Sequence, residues 1–146
     1  YIVMNLGIFG CIFLMKKDGK YTESINDLAG LSKSHPLLSI AFLIILFSLA
    51  GIPPFAGFFA KFYIFMSVIE NGMFTLAIIG LLSTVISAFY YLRIIKIIYF
   101  DENQQKFDEI KDINISGTVL LSCTLIILFF LYPSVLNNIV NILPIT

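Results

Sequence analysis

One lysine, Lys61, follows a run of helix-breaking residues: Gly51-Ile52-Pro53-Pro54-Phe55-Ala56-Gly57-Phe58-Phe59-Ala60-Lys61-Phe62, inside an apolar stretch from Leu37 to Asn71. Pro53 and Pro54 remove two backbone donors and clash with a continuing helix, so a helix entering this stretch must break. Inside hydrocarbon such a break survives only where protein or a water-filled cavity satisfies the freed backbone groups. Gly51, Pro53, Pro54 and Gly57 are the candidate break residues, and Lys61 falls beside them near the bilayer centre. An ionisable group at that depth costs about 2.5–3.5 kcal/mol on insertion scales, and its default reading is functional.

The chemistry such a lysine offers is proton exchange. Burial disfavours the charged form. The carboxyl end of the first half-helix attracts a cation, and the amino end of the second repels one. Small movements would therefore switch its protonation, which makes Lys61 a candidate proton relay. Its helical neighbours Gly57, Phe58, Ile64 and Phe65 include no carboxylate. Its partner is then water, the carbonyls freed near Ala50–Ile52, or a group elsewhere. The competing reading is a structural lysine that snorkels, for which mid-membrane depth leaves little reach to water.

The elements that position these residues follow from composition. Of the 146 residues 59% are hydrophobic and 12% charged, and the formal net charge is zero. This is an all-α polytopic membrane protein, and nothing in its charge points to nucleic acid. One membrane domain is expected, with helices at about 1–15, 37–70 (broken at 51–57), 73–100 and 115–140, and polar loops at 16–36 and 101–114. Within the first loop, Ser24 to Leu28 reads as a short interfacial turn. Pro36 suits the first turn of the next helix, with His35 as a cap or surface residue. Tyr90, Tyr91, Arg93, Lys96 and Tyr99 form an interfacial belt of aromatic anchors and snorkelling cations. Pro133 should bend or end the last helix. Cys11 and Cys123 read as buried, inert thiols. There is no Gly-rich phosphate loop and no His/Cys cluster of metal-binding spacing, so neither a cofactor nor a metal is expected in this chain.

Residues 37–70 would make about 51 Å of straight helix, long for one span and tight for two. Charge placement separates the alternatives. As one broken span, the loops at 16–36 and 101–114 share a side, which then holds every Lys and Arg except Lys61. As two spans, the same cations would divide equally. The positive-inside rule favours one broken span.

The chain starts with Tyr, and its first apolar run, Tyr1–Met15, covers about 22 Å against about 30 Å of hydrocarbon. The expectation is the C-terminal portion of a longer protein, or one product of a split gene. Abundant Ile, Asn and Lys with no Trp hint at an AT-biased genome, mitochondrial or bacterial.

The strings Asp27-Leu28-Ala29-Gly30-Leu31, Ser48-Leu49-Ala50-Gly51-Ile52-Pro53-Pro54, Gly57-Phe58-Phe59-Ala60-Lys61-Phe62 and Tyr90-Tyr91-Leu92-Arg93 resemble, in order and spacing, the C-terminal part of the subunit 2 family of NADH:ubiquinone oxidoreductase. This is respiratory complex I, whose bacterial members of the family are called subunit N. The resemblance implies an antiporter-like helical bundle of inverted repeats with discontinuous helices, here its C-terminal part. It implies that Lys61 matches the lysine assigned to proton translocation, and that Pro53 and Pro54 match the break. The related subunit 4 type has a glutamate at the matching position. The subunit 5 and sodium/proton antiporter types follow the lysine with an acidic residue, where Phe62 stands here. It further implies a non-redox subunit of a proton-translocating NADH:ubiquinone reductase, with FMN, iron–sulfur clusters and quinone held elsewhere in the complex. The implied partners are the other membrane-arm subunits, including antiporter-like ones, the N-terminal half of the same subunit, and lipid. The implied location is the mitochondrial inner membrane or, alternatively, a bacterial plasma membrane. A cation/proton antiporter subunit or a membrane-bound hydrogenase subunit is the alternative function.

Overall fold

The computed structural model describes residues 1–17, 19–21, 24–102 and 107–131. Helix α1 spans Ile2–Leu14. A small antiparallel hairpin follows, β1 (Lys16–Lys17) pairing with β2 (Lys20–Tyr21), and then a 3-10 turn, Ile25–Leu28. Helix α2 spans Leu31–Ser34, α3 Pro36–Ala50, α4 Ala56–Glu70, α5 Phe74–Phe100 and α6 Ile113–Leu131.

Local chemistry accounts for the boundaries. Ser24 caps the 3-10 turn in a reciprocal capping box with Asp27. Pro36 opens α3, where its missing N–H costs nothing, and His35 holds the N-cap position. Asn71 and Gly72 turn the chain between α4 and α5. The hairpin was not legible in the sequence, which pointed to a polar loop at 16–36 with one short turn at Ser24–Leu28. Helix α6 starts two residues earlier than expected from the apolar run, at Ile113. Pro133 and the expected end near residue 140 lie outside the described residues.

Helix α3 is the hub, packing against α1, α4, α5 and α6. Leu31, Ile45, Leu46 and Ile98 are among its fully enclosed neighbours and members. In a bilayer, lipid is as apolar as these side chains, so close van der Waals packing and internal hydrogen bonds hold the helices together. Helix α5, about 40 Å long, runs back along α4 and then along α3. It is long and apolar enough to cross a membrane, and the rest of the described chain covers little of it. Helices α1, α3 and α6 are shorter apolar helices.

The two polar loops meet at one end of the bundle. Gly30 N donates to the Asp101 carbonyl at 3.1 Å, and Asp108 N to that of Lys16 at 2.9 Å. Gly19 N donates to Asp108 Oδ2 at 2.7 Å, and Lys33 Nζ to Glu102 Oε1 at 2.6 Å. The loops before α3 and after α5 are thus in contact, and α3 and α4 follow one another across the break.

Candidate functional site at the helix break

Helix α3 ends before the prolines are reached. Gly51 adopts the left-handed conformation (φ 82°), open to glycine at little cost, and closes a Schellman motif. Its N–H donates to the Ser48 carbonyl at 3.0 Å, and the N–H of Ile52 to that of Phe47 at 3.0 Å. The carbonyls of Leu49 and Ala50 are next in line. In a continuing helix they would receive the N–H groups of residues 53 and 54, and both are proline.

Lys61 supplies the missing donors. Its Nζ lies 2.9 Å from the Leu49 oxygen and 3.0 Å from the Ala50 oxygen. The side chain points back toward the start of α4, as helical side chains do, and packs across Gly51. The half-buried ammonium thus sits at the negative end of the α3 dipole. Arithmetic on Pro53 and Pro54 points to these two carbonyls, one step N-terminal to the Ala50–Ile52 region inferred from the apolar run.

The chain crosses the break through a turn in which Phe55 N donates to Ile52 O at 3.2 Å; the Pro53–Pro54 peptide bond is cis. Gly57 lies one residue inside α4, not in the irregular segment, which comprises residues 51–55. Its role there is contact. A Cβ at Gly57 would stand 1.8 Å from the Ser48 carbonyl oxygen, so only glycine allows the half-helices this close. The Gly57 N–H donates to Ser48 Oγ at 3.1 Å, and the Ser48 hydroxyl donates to Met4 Sδ on α1, also at 3.1 Å. Sequence reasoning missed Ser48 and Met4. A serine nine residues before a glycine in an apolar run was the available signal, and it is weak.

The other singled-out residues lie elsewhere. His35 Nε2 is 3.0 Å from the Asp108 carbonyl oxygen, at the polar end of α3 opposite the break. Lys96 pairs with Asp101 at 3.3 Å, the lysine exposed and the aspartate partly so. Cys11 and Cys123 are free and buried between helices. No group of three or more His, Cys, Asp or Glu able to hold a metal occurs among the described residues. The arrangement at the break holds one cationic group, the Lys61 ammonium, on two backbone carbonyls.

Comparison with known proteins places this geometry in a family. The family described as NADH:quinone oxidoreductase/Mrp antiporter, TM, matches residues 1–87. NADH-quinone oxidoreductase subunit N of Pelagibacter ubique is 57% identical over 141 residues, covering 97% of this chain and 30% of the relative. Subunit N of Rhodospirillum rubrum is 49% identical, covering 92% of this chain and 28% of the relative. A chain of respiratory complex I from Thermus thermophilus with bound aureothin has the same fold. Its TM-score is 0.77 at 25% identity, covering 92% of this chain and 30% of that one. This chain therefore spans just under a third of the length of the relatives it matches. They are bacterial, which leaves the mitochondrial location implied by the resemblance without support and favours its bacterial alternative.

Proposed function

Because the chain belongs to the NADH:quinone oxidoreductase/Mrp antiporter transmembrane family, we propose that it forms the C-terminal part of a proton-translocating membrane-arm subunit of a bacterial complex I. The observation that carries this reading is the docking of the Lys61 ammonium on the Leu49 and Ala50 carbonyls, across a proline break. An amine held by neutral carbonyls keeps its proton through weak, replaceable partners. It can pass that proton to water or to a neighbouring group when the half-helices shift, then be reloaded in place.

In this reading the chain carries no redox group. Electron transfer takes place on FMN, iron–sulfur clusters and quinone in other subunits, and energy arrives here as changes in charge and hydration along the membrane. Its partners are the remainder of the same subunit, the other membrane-arm subunits including antiporter-like ones, and lipid. The membrane is a bacterial plasma membrane, in keeping with the relatives.

The deciding experiment is NADH-driven, quinone-dependent proton uptake into sealed vesicles carrying the assembled complex with Lys61→Ala. Loss of uptake in an assembled complex supports the relay. Normal uptake and turnover would leave Lys61 as a structural cap. A sodium gradient driving proton movement where NADH does not would favour an independent antiporter.

A further inference from the structure

Lys61 is delivered by a helix that has no cap of its own. Phe55 occupies the N-cap position of α4 and offers no side-chain hydrogen bond. The cap comes from the other side of the break. Ser48, enclosed completely on α3, accepts the Gly57 N–H on its Oγ at 3.1 Å. In return Lys61, on α4, donates to the Leu49 and Ala50 carbonyls at the end of α3. Each half-helix caps the other.

We propose that Ser48 is the positioning residue for Lys61, pinning α4 against α3 so that the ammonium reaches both orphaned carbonyls. The proposal rests on the proton-relay reading of Lys61. Three contacts converge on the one residue: its hydroxyl holds Gly57 N, its carbonyl abuts Gly57 Cα, and that carbonyl also closes the Gly51 turn at 3.0 Å. The hydroxyl proton is directed to Met4 Sδ at 3.1 Å, which leaves an oxygen lone pair free for Gly57. Helix α1 thereby sets the rotor of the group that sets the break. Without the hydroxyl, the Gly57 N–H has no partner in an apolar setting and α4 is free to drift. A displacement of about 1 Å is enough to undo positioned chemistry.

The test uses the whole complex in sealed vesicles. Ser48→Ala should assemble and oxidise NADH, yet lose the share of the protons translocated per NADH that passes through Lys61. A merely structural role would lower the amount of complex and leave that ratio unchanged. In thermal unfolding of the purified complex, the shift for Ser48→Ala with Lys61→Met should be smaller than the sum of the single shifts, because one cross-cap holds both. A wild-type proton ratio, or additive shifts, would overturn the proposal. Should Ser48→Ala fail to assemble, the volume-conserving Met4→Leu releases the same rotor. A lowered proton ratio then supports the pin, and a wild-type ratio rejects it. Normal pumping by Lys61→Ala would reject the relay reading instead, leaving the cross-cap to be judged by the unfolding measurements.

Discussion

The ammonium of Lys61 stands 3.0 Å from the carbonyl oxygen of Ala50, the residue whose helical donor has been replaced by Pro54. The same substitution holds one residue back, where Pro53 leaves Leu49 without its donor and Lys61 reaches it at 2.9 Å. The lysine is therefore the C-terminal cap of α3, delivered from the far side of the break. A cap that is also ionisable joins the protonation of one side chain to the relative position of two helices.

Replacing Lys61 by methionine keeps most of the volume and removes the cap. Two carbonyls are then unsatisfied, at about 1–3 kcal/mol each. The purified complex should unfold at lower temperature, and proton uptake should be lost. Lys61→Arg retains a cation that does not give up its proton, so it should recover thermal stability without recovering pumping. Stability and pumping restored together would separate the cap from proton release and remove the relay.

Gly57→Ala brings a Cβ to within 1.8 Å of the Ser48 carbonyl oxygen, a backbone atom held by the Gly51 turn. The half-helices must separate, at a cost of about 1–3 kcal/mol or more. Lower abundance of assembled complex is expected, readable on a native gel. Gly72→Ala is the control for a glycine in open space, since a Cβ there meets nothing within 4 Å; its positive φ of 72° adds only local strain. Equal losses for the two would argue against close approach as the cause.

At the polar end, the Lys33 ammonium hydrogen-bonded to Glu102 holds this carboxyl below the usual glutamate range, with the charge of Lys33 adding to the effect. A carboxyl lowered in the folded state contributes stability that is present above its unfolded value and is lost as pH falls through its folded value. Both side chains are largely exposed, so the contribution is small and screened by salt. Infrared titration of isotope-labelled glutamate should place Glu102 below the ordinary value. Lys33→Ala should return it to that value, and high salt should narrow the difference.

Cys11 is fully enclosed and Cys123 is 7% exposed, both among packed helices. Neither should react with a maleimide in intact membranes, and both should react after denaturation in detergent. Labelling of the native protein would mean that α1 and α6 separate on the time scale of the reaction.

Much of the helical plan was legible because the physics behind it is local. Runs of apolar side chains mark α1, α3, α5 and α6, prolines at 53 and 54 forbid a continuous helix, and Pro36 marks the start of α3. One-sided placement of Lys and Arg bears on membrane sidedness, while the contact between the loops before α3 and after α5 is a tertiary fact. The hairpin at Lys16–Tyr21 was illegible because its pairing is held by distant residues: Asp108 bonds to Gly19 and to Lys16. Nor could the sequence show where Gly57 belongs, because its need for a missing Cβ arises from Ser48, nine residues away and on another helix.

From the chain alone it follows that a helix breaks near residue 51 within an apolar stretch, and that a lysine lies beyond the break. Both depend on covalent facts, a ring without an N–H and an amine on an apolar helix. Tertiary structure decided where the lysine's protons are donated at rest, which carbonyls hold it, and that Ser48 touches both Gly57 and Met4 where the two halves meet. Those depend on the distance between helices that are joined by an irregular turn. That distance follows from packing against α1, α5 and α6, which no local pattern encodes.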